Sequence, residues 1–291
     1  MENAHKMANL VKTRKVGKLI FDGTASFDDG SDTTYGGHLL AQASHSACQT
    51  VTDSGKRLHA ITANFLQAGT SGKKYTYEVE ILSDGKSFSR RNVRAFQENR
   101  LVLQLVASFC KEKDGLHFKA KSSPDFSSIP APESLPTYDV LMRSLKKVPF
   151  REDWAFRQHG FDRRIINAPW TNNKLDLSGG IKMWVRADGY VDKLKNLHEA
   201  LLIYQSDESL ADNILVPFGL TWSSPEVFMV SLDHSMWIHQ PVDVNDWLYI
   251  EQEPLIAIFE RGLAKANVWN SKGVLISTFL QEALFRKRKT D

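Results

Sequence analysis

An α+β fold made of two similar halves is what this sequence predicts, on three observations. The order strand, helix, four strands occurs once before about residue 112 and again from Leu177 onwards. The strands of each half are joined by tight turns such as Asp84-Gly85 and Ser271-Lys272-Gly273, which is typical of antiparallel pairs. Each half also carries one helix that its strands can cover, which makes an α+β unit. An internal duplication is the most economical explanation.

Five segments are predicted along the chain. They are a frayed polar N-terminus at residues 1–15, a first repeat at 16–112, a connector at 113–175, a second repeat at 176–286 and a basic tail at 287–291. Prolines and serines dominate the start of the connector and disfavour regular structure there. Its second half has four large aromatic residues, Trp154, Phe156, Phe161 and Trp170. These predict that this part packs onto the body of the protein.

In the first half, Gly36-Gly37 opens a predicted helix after a short strand at 17–25. Its apolar stripe consists of Leu39, Leu40, Ala43, Ala47, Cys48 and Val51. The paired glycines favour a tight turn or a close approach to a neighbouring segment, with an anion bound at the helix start as the second possibility. Four strands are predicted to follow, at 58–66, 75–81, 87–96 and 101–111.

The second half repeats this order, with a strand at 180–186, a helix around 194–204 and strands at 229–239, 247–256, 261–269 and 274–284. The strand at 229–239 has two contrasting faces. Val230, Leu232, Met236 and Ile238 alternate onto one face, and Ser231, Asp233, Ser235, Trp237 and His239 onto the other. This strand is therefore either half solvated or part of a site.

Superposing the two halves aligns Ser108 with Gln281, and Leu58-His59-Ala60 with Leu232-Asp233-His234. Polar side chains accumulate in the second half where the first is plainer. This pattern predicts one site for each pair of repeats, supplied mainly by the second half.

Composition narrows the function classes. The 291 residues carry a net charge of +3, which does not favour nucleic-acid binding, and 42% are hydrophobic, as in a globular protein with a substantial core. Cys48 and Cys110 show no metal-ligand spacing and are interpreted as reduced thiols. No apolar run reaches the length of a membrane span. We expect a cytoplasmic protein, with the peroxisome as the alternative, although the C-terminal residues differ from Ser-Lys-Leu.

Several stretches together resemble one family. They are Tyr35 to Gln42, Leu58-His59-Ala60, Asp84-Gly85-Lys86-Ser87-Phe88-Ser89-Arg90-Arg91, Ala107-Ser108-Phe109, Ser231 to His239, Arg261-Gly262-Leu263 and Gln281-Glu282. Across nearly the whole chain, from about residue 17 to 286, the sequence resembles the type II acyl-CoA thioesterases of bacteria and peroxisomes. The resemblance implies a double hot-dog fold, in which each repeat wraps a curved antiparallel sheet around a long helix. It also implies hydrolysis of fatty acyl-CoA by an activated water, without a metal, cofactor or covalent intermediate.

The resemblance places the catalytic roles on three residues. Asp207 follows the Tyr-x-Ser pattern of Tyr204-Gln205-Ser206, Ser231 lies two residues before Asp233-His234, and Gln281 belongs to the Gln-Glu of the last strand. Asp212 lies close enough in sequence to compete with Asp207. Asp233 and His234 could form a dyad, and we expect them to support the site by hydrogen bonding.

Substrate contacts are expected from His59, Arg90 and Arg91, the arginines because guanidinium recognises phosphate well. Solvated strand charges are the alternative for both arginines, and a structural role is the alternative for His59. The sequence departs from the family at Gln67-Ala68-Gly69, where many members have Arg-Pro-Gly, and at Gln240, where arginine is common.

Two other functions remain open at this point, namely a non-catalytic acyl-CoA-binding or scaffold protein on the same fold, and an enoyl-CoA hydratase or dehydratase. The latter chemistry needs a histidine with an acidic partner on the central helix, and His45 has no evident one. The expected ligand is acyl-CoA, and the expected assembly is a homodimer or higher homo-oligomer.

Overall fold

A sheet of 12 strands forms the frame of the computed structural model, which describes residues 2–25, 32–118, 124–145, 160–168, 180–221 and 224–288. The helices are α1 (Glu2–Leu10), α2 (Gly36–Cys48), α3 (Tyr138–Ser144), α4 (Leu197–Ser206) and α5 (Asp212–Leu215). The strands of the first half are β1 (Thr13–Lys15), β2 (Ile20–Gly23), β3 (Lys56–Phe65), β4 (Thr76–Asp84), β5 (Phe88–Gln97) and β6 (Arg100–Lys111). Those of the second half are β7 (Phe161–Asn167), β8 (Lys182–Ala187), β9 (Val227–Ile238), β10 (Leu248–Ile258), β11 (Arg261–Asn270) and β12 (Leu275–Lys287).

The strand order shows how the two halves are joined. It runs β1-β2-β4-β5-β6-β3-β9-β12-β11-β10-β8-β7. The order of the second half mirrors that of the first, and β3 pairs antiparallel with β9 at the centre. Each half thus contributes one sheet segment and one helix, and α2 packs against α4. The predicted α+β class and internal repeat are confirmed.

Helix α2 is buried almost all round, although the sequence predicts a single apolar stripe. Ten residues from His38 to Cys48 are buried, and small side chains such as Ala41 and Ala43 let neighbouring segments approach closely. Gln42 is fully buried and satisfied, since its amide donates to the Leu10 carbonyl at 2.6 Å and accepts from the Tyr77 hydroxyl at 2.9 Å. The sheet covers one side of α2 and α4 covers the other, which removes the solvated face expected of a surface helix.

The central register corrects the superposition of the two halves. Thr62 pairs with Ser235 in the middle of the β3–β9 ladder, and each strand has a one-residue bulge three positions before this pair, at His59 in β3 and at Leu232 in β9. The two-fold relation therefore equates Ser231 with Leu58, one residue away from the sequence-based alignment.

The same correction applies to the last strand of each half. Ala107 pairs with Ile61, and Gln281 pairs with His234, the two-fold equivalent of Ile61. Gln281 therefore corresponds to Ala107 and not to Ser108. A slip of one residue moves a strand side chain to the opposite face. In the first half, the positions of Ser231 and Gln281 are thus held by buried apolar residues.

Two predicted segments, the N-terminus and the connector, contain helices and strands that the sequence did not predict. The segment expected to be frayed forms α1 and β1, because Ala4, Met7 and Val11 are buried in the core. The connector contributes α3 and the edge strand β7. Phe126, near its start, packs against Trp184 and Tyr249 of the second half of the sheet. Phe161 is buried as expected, whereas Trp154, Phe156 and Trp170 lie outside the described residues. Among the helices described here, none has the length and apolarity needed to cross a membrane.

Buried histidines predict a loss of stability in mild acid. Burial lowers the pKa of His38 and of His45 to about 4, and that of His234 to about 3. In the unfolded chain, histidine titrates near pH 6.5, so the unfolded state binds more protons between about pH 6.5 and pH 4. The free energy of unfolding should therefore fall as the pH drops through this window, by about 1.4 kcal/mol per pH unit for each histidine. Urea unfolding across this range measures the slope.

A single substitution provides the control for this pH effect. The Nε2 atom of His38 lies 3.1 Å from the Thr24 carbonyl oxygen, and the amide of a His38→Gln variant can donate to the same oxygen without titrating. The slope of this variant should be shallower than that of the wild type by about 1.4 kcal/mol per pH unit at most, which is the contribution of one histidine. Identical slopes would show that His38 does not contribute.

Candidate active site

A cavity of about 450 Å³ lies where the two halves meet. The first half lines it with Thr33 to Gly36 and Phe65 to Gly69, and the second half with Asp207 to Ser209 and Met229 to Leu232. Leu66 and Gln67 on its rim are exposed, whereas Ile165 and Met183 deeper in are buried. The cavity therefore has a solvated mouth at the Gln67 segment and an apolar floor at β7 and β8. Such a mostly apolar cleft with a few polar groups is typical of ligand sites.

The structure brings Asp207, Ser231 and Gln281 together in this cavity. The Gln281 Nε2 atom donates to Asp207 Oδ1 at 2.6 Å and to Ser231 Oγ at 2.8 Å. Gln281 is almost completely buried, and its amide orientation follows from chemistry, since only an N–H can face a carboxylate at this distance. The three side chains form one continuous polar group in the cavity wall.

The N-terminus of α2 holds the Asp207 carboxylate from the other side. Asp207 directly follows α4, and its Oδ2 atom accepts a hydrogen bond from the Gly37 backbone N–H at 2.8 Å. The side chain of Tyr35, the N-cap residue of α2, makes no capping hydrogen bond. Asp207 therefore caps the helix, although it lies 170 residues away in the sequence. The helix dipole stabilises the negative charge of the carboxylate there.

The glycine pair makes this contact possible. A Cβ atom on Gly36 would lie 2.7 Å from Asp207 Oδ2, and one on Gly37 would lie 2.4 Å from the Tyr204 carbonyl oxygen. Both distances are shorter than a side chain tolerates, so the two helix ends can meet only at glycine. The sequence indicated either a close approach or an anion site at this position, and the structure has both, with Asp207 as the anion.

A β-bulge turns Ser231 towards the site. Glu282 pairs with Asp233, but the next residue, Ala283, pairs with Ser231, which leaves Leu232 as the extra residue of β9. Strict alternation places Ser231 and Asp233 on one face, and the bulge separates them. Asp233 faces outwards and accepts from the Asn64 amide, while Ser231 reaches Gln281 inside the cavity.

His234 supports the end of α4 and does not act on Ser231. Its Nε2 atom lies 2.9 Å from the Ser206 hydroxyl, next to Asp207. Burial lowers the pKa of His234 to about 3, so the ring stays neutral over the physiological range. Because His234 engages Ser206 and Asp233 points to the opposite face, the three residues do not form a serine-hydrolase triad.

The three expected substrate-binding residues lie elsewhere. None of His59, Arg90 and Arg91 is among the described residues that line the cavity. Arg91 is buried and donates to Thr50, Ser83 and Arg90 carbonyls or hydroxyls and to the Asp84 carboxylate, which occupies its guanidinium. These contacts support the alternative of a structural role for Arg91, and its assignment to substrate phosphates stays a prediction.

His59 occupies the bulge of β3 and lies 2.9 Å from the Ser108 hydroxyl, which fits the structural alternative.

Sequence reasoning also missed a buried ion pair at the cavity wall. Arg163 Nη1 donates to Glu208 Oε1 at 2.7 Å, and the Arg163 guanidinium carbon lies 3.7 Å from the centroid of the Tyr138 ring. Only the adjacency of Glu208 to Asp207 could have signalled it. In the parts of the chain described, no group of three His, Cys, Asp or Glu side chains is placed to hold a metal ion.

Comparison with known proteins shows which family the chain is similar to. The profile of the acyl-CoA thioesterase family matches residues 161–284, and that of the acyl-CoA thioesterase N-terminal domain matches residues 24–110. The chain is 29% identical over 286 residues to acyl-CoA thioesterase 2 of Haemophilus influenzae, covering 97% of both chains. It is 30% identical over 267 residues to acyl-coenzyme A thioesterase 8 of Rattus norvegicus, covering 89% of this chain and 82% of the relative.

The fold comparison agrees with the profiles. The tesB protein of Mycobacterium avium subsp. paratuberculosis superposes with a TM-score of 0.79 at 25% identity, over 98% of this chain and 100% of the other. This superposition and the mirrored strand order together confirm the double hot-dog fold predicted from the sequence. Both repeats are matched by profiles of one family, and the relatives are matched over most of their length. The chain therefore belongs to the acyl-CoA thioesterase family.

Proposed function

We propose that this protein hydrolyses fatty acyl-CoA to a free fatty acid and CoA, with Asp207 as the general base. One observation carries the proposal: the Gln281 amide joins the Asp207 carboxylate and the Ser231 hydroxyl in the wall of a largely apolar cavity. The acyl chain occupies the apolar floor at β7 and β8, and the CoA moiety lies at the mouth near Gln67. The thioester carbonyl then lies beside the three polar side chains.

The reaction is an attack by water. Asp207 removes a proton from the water molecule, and the hydroxide oxygen forms a bond to the thioester carbon, which contributes about 10²–10⁴-fold as general base catalysis. The tetrahedral oxyanion collapses, the C–S bond breaks, and the thiolate leaves with the electron pair and takes up the proton. Ser231 and Gln281 orient the water or donate hydrogen bonds to the oxyanion, and neither group must ionise to do so.

A covalent acyl-serine intermediate is disfavoured by the contacts of Ser231. Its Oγ atom accepts from Gln281, and the imidazole of His234, which could deprotonate it, is directed at Ser206.

The hydratase alternative loses support as well. The His45 Nδ1 atom accepts from the Thr13 backbone N–H at 3.1 Å, and His45 is not among the described residues of the cavity wall. The scaffold alternative does not explain why the polar trio is complete in one half only.

Release of free thiol from acyl-CoAs of increasing length, from acetyl to palmitoyl, tests the activity. We expect turnover with fatty acyl-CoAs, and saturable binding without turnover would favour the scaffold protein. A single turnover in ¹⁸O-labelled water tests the mechanism. Direct attack puts the label into the fatty acid in the first turnover. An anhydride that water opens at the Asp207 side-chain carbonyl carbon would instead leave the label on Asp207 and release a fatty acid that carries an unlabelled Asp207 oxygen.

The assembly and the compartment belong to the same proposal. A homodimer or higher homo-oligomer and a cytoplasmic location are the expectations from the sequence. Light scattering of the purified protein tests the first, and fractionation of cells that express the full chain tests the second.

A further inference from the structure

Two buried amide side chains lie directly behind the turn that carries Asp207. Gln252 on β10 and Asn213 on α5 are each at most 1% exposed. We propose that they are positioning residues for catalysis, which fix the Asp207 carboxylate through the backbone of Glu208 and Ser209. This inference rests on the proposed role of Asp207 and goes beyond it, because neither amide belongs to the described cavity wall.

The contacts form a closed network. The Gln252 Nε2 atom donates to the Glu208 carbonyl at 3.2 Å, and its Oε1 atom accepts from the Ser209 hydroxyl at 3.1 Å. The Asn213 Nδ2 atom donates to Gln252 Oε1 at 2.8 Å and lies 2.9 Å from the Ser209 carbonyl oxygen. The Asn213 Oδ1 atom accepts from the Ile181 backbone N–H at 2.8 Å. Gln252 therefore holds both residues after Asp207, and Asn213 holds Gln252 and Ser209.

The turn needs this support because its backbone is unfavourable. Ser209 has a φ of 62°, in the left-handed region that a non-glycine residue seldom adopts. Such a conformation persists only where the surroundings determine it, and strain of this kind clusters at functional sites. Buried amides with all their hydrogen bonds satisfied give that rigidity, since losing one partner leaves polar atoms without water.

The base of the network is rigid too. The Gln252 backbone N–H donates to the Ile181 carbonyl at 2.9 Å, and a Cβ atom on Gly180 would lie 1.6 Å from the Gln252 carbonyl oxygen. Glu208 is held on its other side by the buried ion pair with Arg163. Asp207 is thus fixed between Ser206, which contacts His234, and Glu208, which β10 anchors.

A general base that shifts by about 1 Å can lose about 10²-fold in rate. We expect a Gln252→Met variant, which keeps the volume and removes the hydrogen bonds, to lower kcat by about 10–100-fold on that scale. The KM for acyl-CoA should change little, since Gln252 does not line the cavity. A Gln42→Met variant is the matched control, because Gln42 is equally buried and bonds Leu10, Thr24 and Tyr77, none of which is among the described residues of the cavity wall. It should lose stability without a comparable fall in kcat.

A double-mutant cycle with Asp207→Asn separates positioning from general structural damage. If Gln252 acts through Asp207, adding Gln252→Met to Asp207→Asn lowers the residual rate no further. A full further loss in the Asp207→Asn background, or a wild-type kcat for Gln252→Met beside an inactive Asp207→Asn, would overturn the inference alone. Near-normal activity of Asp207→Asn itself would instead overturn the proposed mechanism. If Gln252→Met does not fold, Ser209→Ala removes one hydrogen bond of the network, and the same cycle applies.

Discussion

Replacing Asp207 with asparagine is expected to lower kcat for acyl-CoA hydrolysis by about 10²–10⁴-fold, the range that general base catalysis contributes. The amide keeps the shape of the carboxylate and can still accept from the Gly37 N–H, but it cannot take a proton from water. The fold should persist, because the cap of α2 is retained. Steady-state thiol release with one medium-chain acyl-CoA measures the effect, and circular dichroism checks the fold.

The matched control for this variant is Asp233→Asn. Asp233 lies on the strand that carries Ser231 but faces outwards towards Asn64. Its replacement should leave kcat within about twofold of the wild type, as is usual for a surface substitution away from the site. A large loss for Asp233→Asn, with Asp207→Asn active, would return catalysis to the Asp233-His234 dyad.

Replacing Gln281 with alanine should reduce kcat by about 10²–10³-fold, comparable to the loss of one oxyanion donor. Two effects combine here: the variant loses an amide donor for the water or the oxyanion, and it loses the amide that joins Asp207 Oδ1 to Ser231 Oγ. The free energy of binding a non-hydrolysable acyl-CoA analogue should change far less. Kinetics and analogue binding by calorimetry measure the two quantities.

The first half of the protein shows that alanine fits at the position equivalent to Gln281. Ala107 occupies the two-fold equivalent place in the first half, and it is fully buried. The Gln281→Ala variant should therefore fold, and a Ser108→Ala variant serves as the control, because Ser108 contacts His59 outside the cavity wall. A Gln281→Ala enzyme with wild-type kcat would exclude the amide from the mechanism.

The two halves differ at the positions proposed for catalysis, as the prediction of one site for each pair of repeats requires. The positions of Ser231 and Gln281 correspond to Leu58 and Ala107, which are both buried and apolar. Neither can donate a hydrogen bond to a water or an oxyanion. The first half instead supplies the glycine pair at the start of α2, which holds Asp207. Each repeat is thus specialised, one for the polar side chains and the other for the close backbone contact.

The sequence by itself determined the repeated α+β order, because alternation in strands and the four-residue spacing in helices are local properties of the chain. Its resemblance to a family also selected Asp207, Ser231 and Gln281, and in the structure the Gln281 amide is hydrogen-bonded to both of the other two. These residues could be named before any contact was known, since the motifs around them are short and continuous.

Only the tertiary structure decided how the site is assembled. The bond from Gly37 to Asp207 joins residues 170 positions apart, and no local period encodes such a contact. The bulge at Leu232 moves Ser231 to the inner face, whereas strict alternation places it outside. Burial supports a structural role for Arg91. Each of these outcomes depends on which surfaces meet when the two halves close together, and the spacing of residues along the chain does not contain that information.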